Sequence, residues 1–318
     1  MLELIFIAIV YVIYRAYLKR YPHPSLPADG KWVLISGCDT GFGNMTTKQL
    51  DALGYHVLAG CLTQDGAQKL SSECSKNVVT FQLDITNEES VAKTKALVEK
   101  HANGKLWGIV NNAGISAGTF VEWNTPAHYK RVHAVNFMGH VDMIYNNVHS
   151  IIKAKGRIVN ITSVAGFMAA PGMSAYASSK HAFEGYSDSL RREMYLRDVK
   201  VAIIEPGFMN TAIVQQALQP WISQWESLSQ TVKDEYGQPW FDQMMANRKI
   251  ALKKNSDDPQ LVVDSILHAL TNSKPEDRYR PGFQAKLIYV ANVLPTSIAD
   301  YLVRRIDGRD APLFAQKK

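Results

Sequence analysis

The sequence predicts an α/β fold built on a doubly wound parallel sheet of about seven strands. Three observations carry that prediction. From Lys31 onward, short apolar runs alternate with helical patterns. The runs are continuous stretches of β-branched residues, as in strands buried on both faces. A glycine-rich turn follows the first run directly and opens a helix.

The elements follow in order. "WVLIS" (32–36) is the first strand, and "NMTTKQLDAL" continues as a helix. "YHVLAG" (55–60) and "VVTFQLD" (78–84) are the second and third strands. "NEESVAKTKALVEKH" is a helix with Asn87 as N-cap and glutamates in its first turn. "LWGIVNN" (106–112) is the fourth strand, and a long helical region covers roughly 126–155. "GRIVNIT" (156–162), the helix "SAYASSKHAFEGYSDSLRRE" and "VKVAIIEP" (199–206) come next. A weaker seventh strand is placed near "DRYRPG" (277–282). Strand–helix–strand rhythm of this kind gives right-handed crossovers and helices on both faces.

Residues 208–257 break the rhythm. They are helical and carry Trp221, Trp225 and Trp240. Their place after a strand C-terminus reads as a lid over an apolar ligand. "DDPQLVVDSILHALTNS" is a helix with Asp258 as N-cap and Pro259 at its first position. The C-terminal extension, 283–318, is amphipathic; packing on the domain and contact with a membrane surface both fit it.

Composition narrows the function classes. The chain has 318 residues, 46% apolar and 20% charged, so wholesale disorder is excluded. Its net charge of +6 is scattered, which argues against a nucleic-acid-binding face. Cys38, Cys61 and Cys74 have no metal-site or disulfide spacing and read as free thiols in a reducing compartment. No metal is expected. "LIFIAIVYVIY" (4–14) lacks charge, and Arg15, Lys19 and Arg20 follow it. A signal anchor fits better than a cleaved signal peptide or an interfacial segment, with the bulk of the chain on the cytoplasmic side. The expected organisation is an anchor at 1–20, a proline-rich linker at 21–30 and one folded domain at 31–318.

Four motifs carry chemistry. "SGCDTGFG" holds Gly37, Gly41 and Gly43, whose backbone can approach a pyrophosphate at a helix N-terminus. Its spacing is G-x-x-x-G-x-G, and a plain turn is the bland alternative. "VNNAG" (110–114) ends the fourth strand; its asparagines can tie strand ends together, and its small residues leave room for something flat. "IVNITSVAG" ends the fifth strand and places Ser163. Tyr176 and Lys180 stand one helical turn apart, among small residues. A phenol near pKa 10 needs help to act as a base, and a close ammonium favours its ionised form. Taken singly, each has a structural reading as a solvated face or a strand-end hydroxyl.

Together these motifs resemble the short-chain dehydrogenase/reductases over residues 30–282. "GCDTGFGN", "VLAGCLTQDGA", "LWGIVNNAGI" and "SDSLRRE" are similar to the membrane-anchored branch with retinol and hydroxysteroid dehydrogenases. The resemblance implies a Rossmann-type sheet and a catalytic set of Asn136, Ser163, Tyr176 and Lys180. Tyr176 would be the acid/base, Lys180 would bind the nicotinamide ribose, and Ser163 would bind the substrate oxygen. Asn136 would hold a water linking Lys180 to a proton relay. Cofactor contacts are implied from Ser36, Gly37, Asp39, Gly41, Phe42 and Gly43, and from Cys61 at the second strand's end. Asp84, beside Ile85, would meet the adenine amino group, and Asn111, Ala113 and Gly114 would flank the adenosine. Pro206, Gly207 and Thr211, in "PGFMNT", would border the nicotinamide. Ser36 replaces the threonine usual before the first glycine and keeps its hydroxyl.

NAD is favoured over NADP. Asp39 is an anion in the loop, and the second strand ends without Arg or Lys. The acid that often binds the NAD ribose at that strand end is absent too. The expected activity is oxidation of a lipophilic alcohol, a retinol or a 3α/17β-hydroxysteroid, with the protein anchored in the endoplasmic reticulum membrane. The rival reading is a non-catalytic lipid-binding or scaffold protein on the same fold. A homodimer through the long helices near 126–155 and 175–196 is compatible with the resemblance.

Overall fold

Continuous apolar runs cannot alternate inward and outward faces, so their strands need cover on both sides. The structure, a computed structural model, describes residues 24–116, 118–211 and 218–307. Seven strands form one parallel sheet: β1 (Trp32–Ser36), β2 (His56–Cys61), β3 (Val78–Gln82), β4 (Gly108–Asn111), β5 (Arg157–Ile161), β6 (Lys200–Ile204) and β7 (Arg278–Tyr279). Their order across the sheet is 3-2-1-4-5-6-7. The chain turns back at the β1/β4 boundary, so the C-terminal ends of these two strands open a crevice.

Helices cover both faces. On one side lie α1 (Gly41–Ala52) and α2 (Gln64–Ser72). On the other lie α3 (Glu88–Ala102), α4 (Pro126–His133), α5 (Gly139–Ala154) and α6 (Ser174–Tyr195). Asn87 caps α3 as expected, accepting from the Ser90 N–H at 2.9 Å. Strand side chains divide between two cores. Val33, Ile35, Val57 and Val110 join Leu50 of α1; Leu34, Leu58, Ile109 and Ile158 join Val98, Met143, Ile151 and Leu190. The long region at 126–155 is not one uniform helix. A π-helical turn, Ala134–Met138, separates α4 from α5.

The insert forms α7 (Gln219–Ser227), α8 (Gln230–Tyr236) and α9 (Gln238–Asn255). Its tryptophans are spent largely on packing. Trp221 and Trp225 are buried with Tyr236, Phe241 and Met244, and Trp123 from the loop after β4 joins them. Trp225 stacks on Phe241 with centroids 4.3 Å apart. Trp221 lies against Gly172 in the loop after β5. The insert therefore rests on loops leaving the C-terminal ends of β4 and β5.

Next come α10 (Gln260–Thr271), α11 (Phe283–Asn292) and α12 (Thr296–Asp307). Pro259 sits at the N-cap of α10 rather than inside it, and the Asp258 carboxylate still accepts from the Gln260 N–H at 2.8 Å. The described part of the proposed linker is tied down: Ser25 bridges Asn272, and the Leu26 N–H donates to the Thr271 carbonyl at 2.6 Å. The apolar run at 4–14 lies outside the described residues. Among the described residues, no helix is long and apolar enough to cross a membrane.

Candidate functional site

The crevice is built first by its glycines. Gly37 (φ +72°) and Gly41 (φ +63°) hold backbone conformations that side chains disfavour. A Cβ on Gly37 would stand 2.8 Å from the Ala113 Cα, and one on Gly43 would overlap the Gly37 carbonyl oxygen. Above Gly41 there is open space. Thr40 precedes α1 without a side-chain cap, so no side chain claims the helix N-terminal N–H groups. Phe42 is half-buried beneath this loop against the core. A cradle of this shape fits a dinucleotide pyrophosphate.

A carboxylate from the glycine loop reaches the end of β2. Asp39 accepts from the Leu62 N–H at 2.7 Å, the Thr63 N–H at 2.9 Å and the Thr63 hydroxyl at 2.7 Å. Asp84 spends one oxygen on Thr86, at 2.9 Å from its N–H. The Ile85 carbonyl packs against Gly139 at the start of α5.

Ser36, Cys61 and Asn111 are fully buried. Their side chains face protein. The Ser36 hydroxyl accepts from the Asn112 and Ala113 N–H groups at 3.1 and 3.2 Å. Burial, with the Asp39 charge nearby, pushes the Cys61 thiol up to about 12, which makes it inert. Asn111 donates to Asn160 at 2.8 Å, which in turn donates to Ser187 at 2.8 Å. These three residues shape the crevice walls, so any cofactor contact there runs through backbone.

Tyr176, Ser163, Lys180 and Asn136 converge at the ends of β4 and β5. The Tyr176 phenol is buried beside the Ser163 hydroxyl, which accepts from the Ala165 N–H at 3.1 Å. The Lys180 Nζ lies 5.8 Å from the Tyr176 ring centroid and donates to the Ile161 carbonyl at 2.9 Å. A Cβ on Gly114 would stand 3.4 Å from the Asn136 Oδ1 and 3.9 Å from the Lys180 Nζ. Asn136 sits in the π-helical turn, a feature often found at functional sites. Its amide clamps the chain leaving β4. Oδ1 accepts from the Ile115 N–H at 2.9 Å, while Nδ2 donates to the Ile115 carbonyl at 3.1 Å and to Ser179 at 3.2 Å.

Burial sets the electrostatics. It raises the Tyr176 phenol above its ordinary range, and the neighbouring Ser163 hydroxyl opposes that rise. It also pushes Lys180 down to about 8, against the upward pull of Glu184. Beyond these four residues, the Pro206 carbonyl accepts from the Val164 N–H at 3.0 Å, Gly207 abuts Ala285 of α11, and Thr211 is buried. A separate hollow of about 500 Å³ opens between Trp225, Lys233 and Phe241 within the insert; none of these site residues lines it. No group of three or more metal-ligating side chains occurs among the described residues.

The model of the short chain dehydrogenase family matches residues 31–221. The chain belongs to that family. It is 39% identical over 299 residues to 17-beta-hydroxysteroid dehydrogenase type 6 of Rattus norvegicus, covering 92% of this chain and 93% of the relative. It is 41% identical over 278 residues to retinol dehydrogenase 7 of the same organism, covering 86% and 87%. A short-chain dehydrogenase of Streptomyces avermitilis superposes with a TM-score of 0.69 at 21% identity, covering 88% of this chain and 97% of that one. The protein is thus an oxidoreductase of the short-chain dehydrogenase family, in its retinol and hydroxysteroid dehydrogenase branch.

The asparagines of "VNNAG" tie strand ends as expected, while one buried histidine of this dehydrogenase was not foreseen. Asn112 donates from Nδ2 to the Ser36 and Gly37 carbonyls, both at 3.0 Å, and so closes the glycine loop onto β4. The doubled asparagine of "VNNAG" was its signal. His140 is buried and hydrogen-bonded to the Ala113 carbonyl at 2.8 Å. Its signal was periodic: positions 136, 140, 143, 147 and 151 all fall on the buried face.

Proposed function

We propose that this dehydrogenase oxidises a lipophilic alcohol, a retinol or a hydroxysteroid, to the aldehyde or ketone with NAD as partner. One observation carries the reading: the Lys180 ammonium stands over the buried Tyr176 ring, 5.8 Å from its centroid, and the Ser163 hydroxyl lies close enough to the phenol to favour its ionised form. The bound nicotinamide supplies the hydride acceptor. Ser163 holds the substrate oxygen, and Tyr176 takes the hydroxyl proton. Lys180 acts on the phenol through its charge, 5.8 Å from the ring centroid, with one of its three N–H donors on the Ile161 carbonyl. Asn136 keeps Lys180 aligned through Ser179 and Ile115, and an Asn136-bound water would extend the proton path.

NAD is preferred because Asp39 places a carboxylate at the end of β2, where a 2′-phosphate would need a cation. Gly41 and the start of α1 would take the pyrophosphate, with Asp84 toward the adenine. Pro206, Gly207 and Thr211 would border the nicotinamide. The insert would cover the substrate from above. The names of the relatives support a steroid or retinoid substrate.

A panel of steroid and retinoid alcohols, run with NAD and NADP side by side, tests the reading. NADH production with at least one member is expected, and silence across the panel rejects it. Tyr176→Phe should lower turnover by at least about 100-fold, the scale of a lost general base. Unchanged turnover would sink the mechanism.

Attachment to the endoplasmic reticulum membrane, with the domain facing the cytosol, is supported by the uncharged run at 4–14 and the cations after it. Exposed Phe283, Leu287 and Val290 on α11 add apolar surface. Protease added to sealed microsomes should degrade the domain; protection would place it in the lumen.

A further inference from the structure

His140 is charged with no role by the mechanism above, yet it touches both halves of the site. It lies one turn after Asn136, on the buried face of α5. Its Nε2 is 2.8 Å from the Ala113 carbonyl. A carbonyl only accepts, so Nε2 carries the hydrogen and the ring is the neutral tautomer with Nδ1 bare. Burial, reinforced by the Lys180 charge, holds the imidazole well below its ordinary range, down to about 3, so this donor stays single and fixed. The ring stacks on Phe183 at 4.8 Å and 15°, and Phe183 belongs to the helix that carries Tyr176 and Lys180.

Ala113 is where the two halves meet. Its N–H is held by Ser36 at 3.2 Å, and its Cα backs the glycine loop at Gly37. The next residue, Gly114, faces Asn136 and Lys180. Ser36 fixes the turn from the β1 side, and His140 of α5 donates to its carbonyl.

We propose that His140 is a positioning residue for the dinucleotide: its Nε2–H locks the Ala113–Gly114 turn and thereby sets the distance between the glycine loop and Lys180. This rests on the dinucleotide-dependent reading above. Without the donor, a buried carbonyl loses its partner and the turn relaxes.

The test measures NADH binding by fluorescence in the full chain, with melting temperature beside it. His140→Leu should weaken NADH binding about tenfold, the scale of one unsatisfied buried acceptor. His140→Gln, long enough to reach the carbonyl, should recover to within about threefold. His140→Asn, polar but too short, should resemble the leucine variant. In steady state, the loss should fall on the KM for the dinucleotide more than on kcat. Asn147→Leu is the control. Asn147 is buried on the same helix and donates to Thr94 at 2.8 Å, so its loss should lower the melting temperature and leave NADH affinity alone. Parent-like affinity in His140→Leu overturns the proposal, as does a glutamine variant no better than asparagine. If the leucine variant does not fold, the glutamine–asparagine contrast decides alone. A parent protein that binds neither NADH nor NADPH overturns the functional reading and this inference with it. A parent that binds, with all His140 variants alike, overturns this inference only.

Discussion

Lys180 is an ammonium buried on a helix, and the carboxylate that acts on it, Glu184, also pairs with Arg278 at 2.6 Å. Its pKa falls from 10.5 toward 8, so the folded state disfavours the charged form. The sign follows from proton counting. Below pH 8 the lysine is charged in both states, and the full penalty is present. Between pH 8 and 10.5 the unfolded chain holds more protons, so stability rises with pH. Lys180→Met should therefore abolish turnover yet raise stability at pH 7 by about 3 kcal/mol. That advantage should shrink to nothing by about pH 10.5. Denaturant titrations of both proteins across pH 7–10.5 check this; a variant less stable at every pH would show that the Ile161 hydrogen bond outweighs the desolvation.

The elements differ in how much of them the sequence revealed. Six strands were legible because continuous β-branched runs bounded by turns have few other uses, whereas β7 (Arg278–Tyr279) has no such run and was read only as a weaker strand near 277–282. On α6, spacing alone put Tyr176 and Lys180 on one face. The insert was legible as helices but not as a packed body. Tryptophans at helical spacing look the same whether they line a ligand site or pair with each other, and here Trp123, far away in sequence, completes their core. The role of Asp39 was half visible. Its charge could be read from the loop, but its reach to Leu62 and Thr63 could not, because that contact depends on β1 and β2 lying side by side. The π-helical turn at Asn136 was hidden for a related reason: nothing in "HAVNFMGH" departs from ordinary helix composition.

At the scale of the whole molecule, one charged network joins the ends of the fold. Glu205, at the end of β6, is fully buried between Arg278 and Arg280. Arg278 also pairs with Glu184 and Asp188 of α6, at 2.6 and 2.7 Å. Arg280 lies 3.6 Å over the Tyr289 ring of α11, and Phe167 from the loop after Ser163 packs edge-on against that ring at 5.7 Å. The final strand therefore braces the helix of Tyr176, the neighbour of Pro206, and the loop beyond Ser163 together. The timing of synthesis gives this arrangement a further meaning. Three acids are made early and both cations arrive only with the last strand. A chain still on the ribosome at residue 277 holds a carboxylate it cannot bury without a partner, which costs several kcal/mol. Native packing around the site is therefore expected to complete only once the last strand is made, leaving a shortened chain more open to protease than the full one. A full-length protein with Arg278→Met and Arg280→Met together should behave like such an unfinished chain and melt well below the parent. Melting at the parent's temperature would show that the acids do not hold folding back.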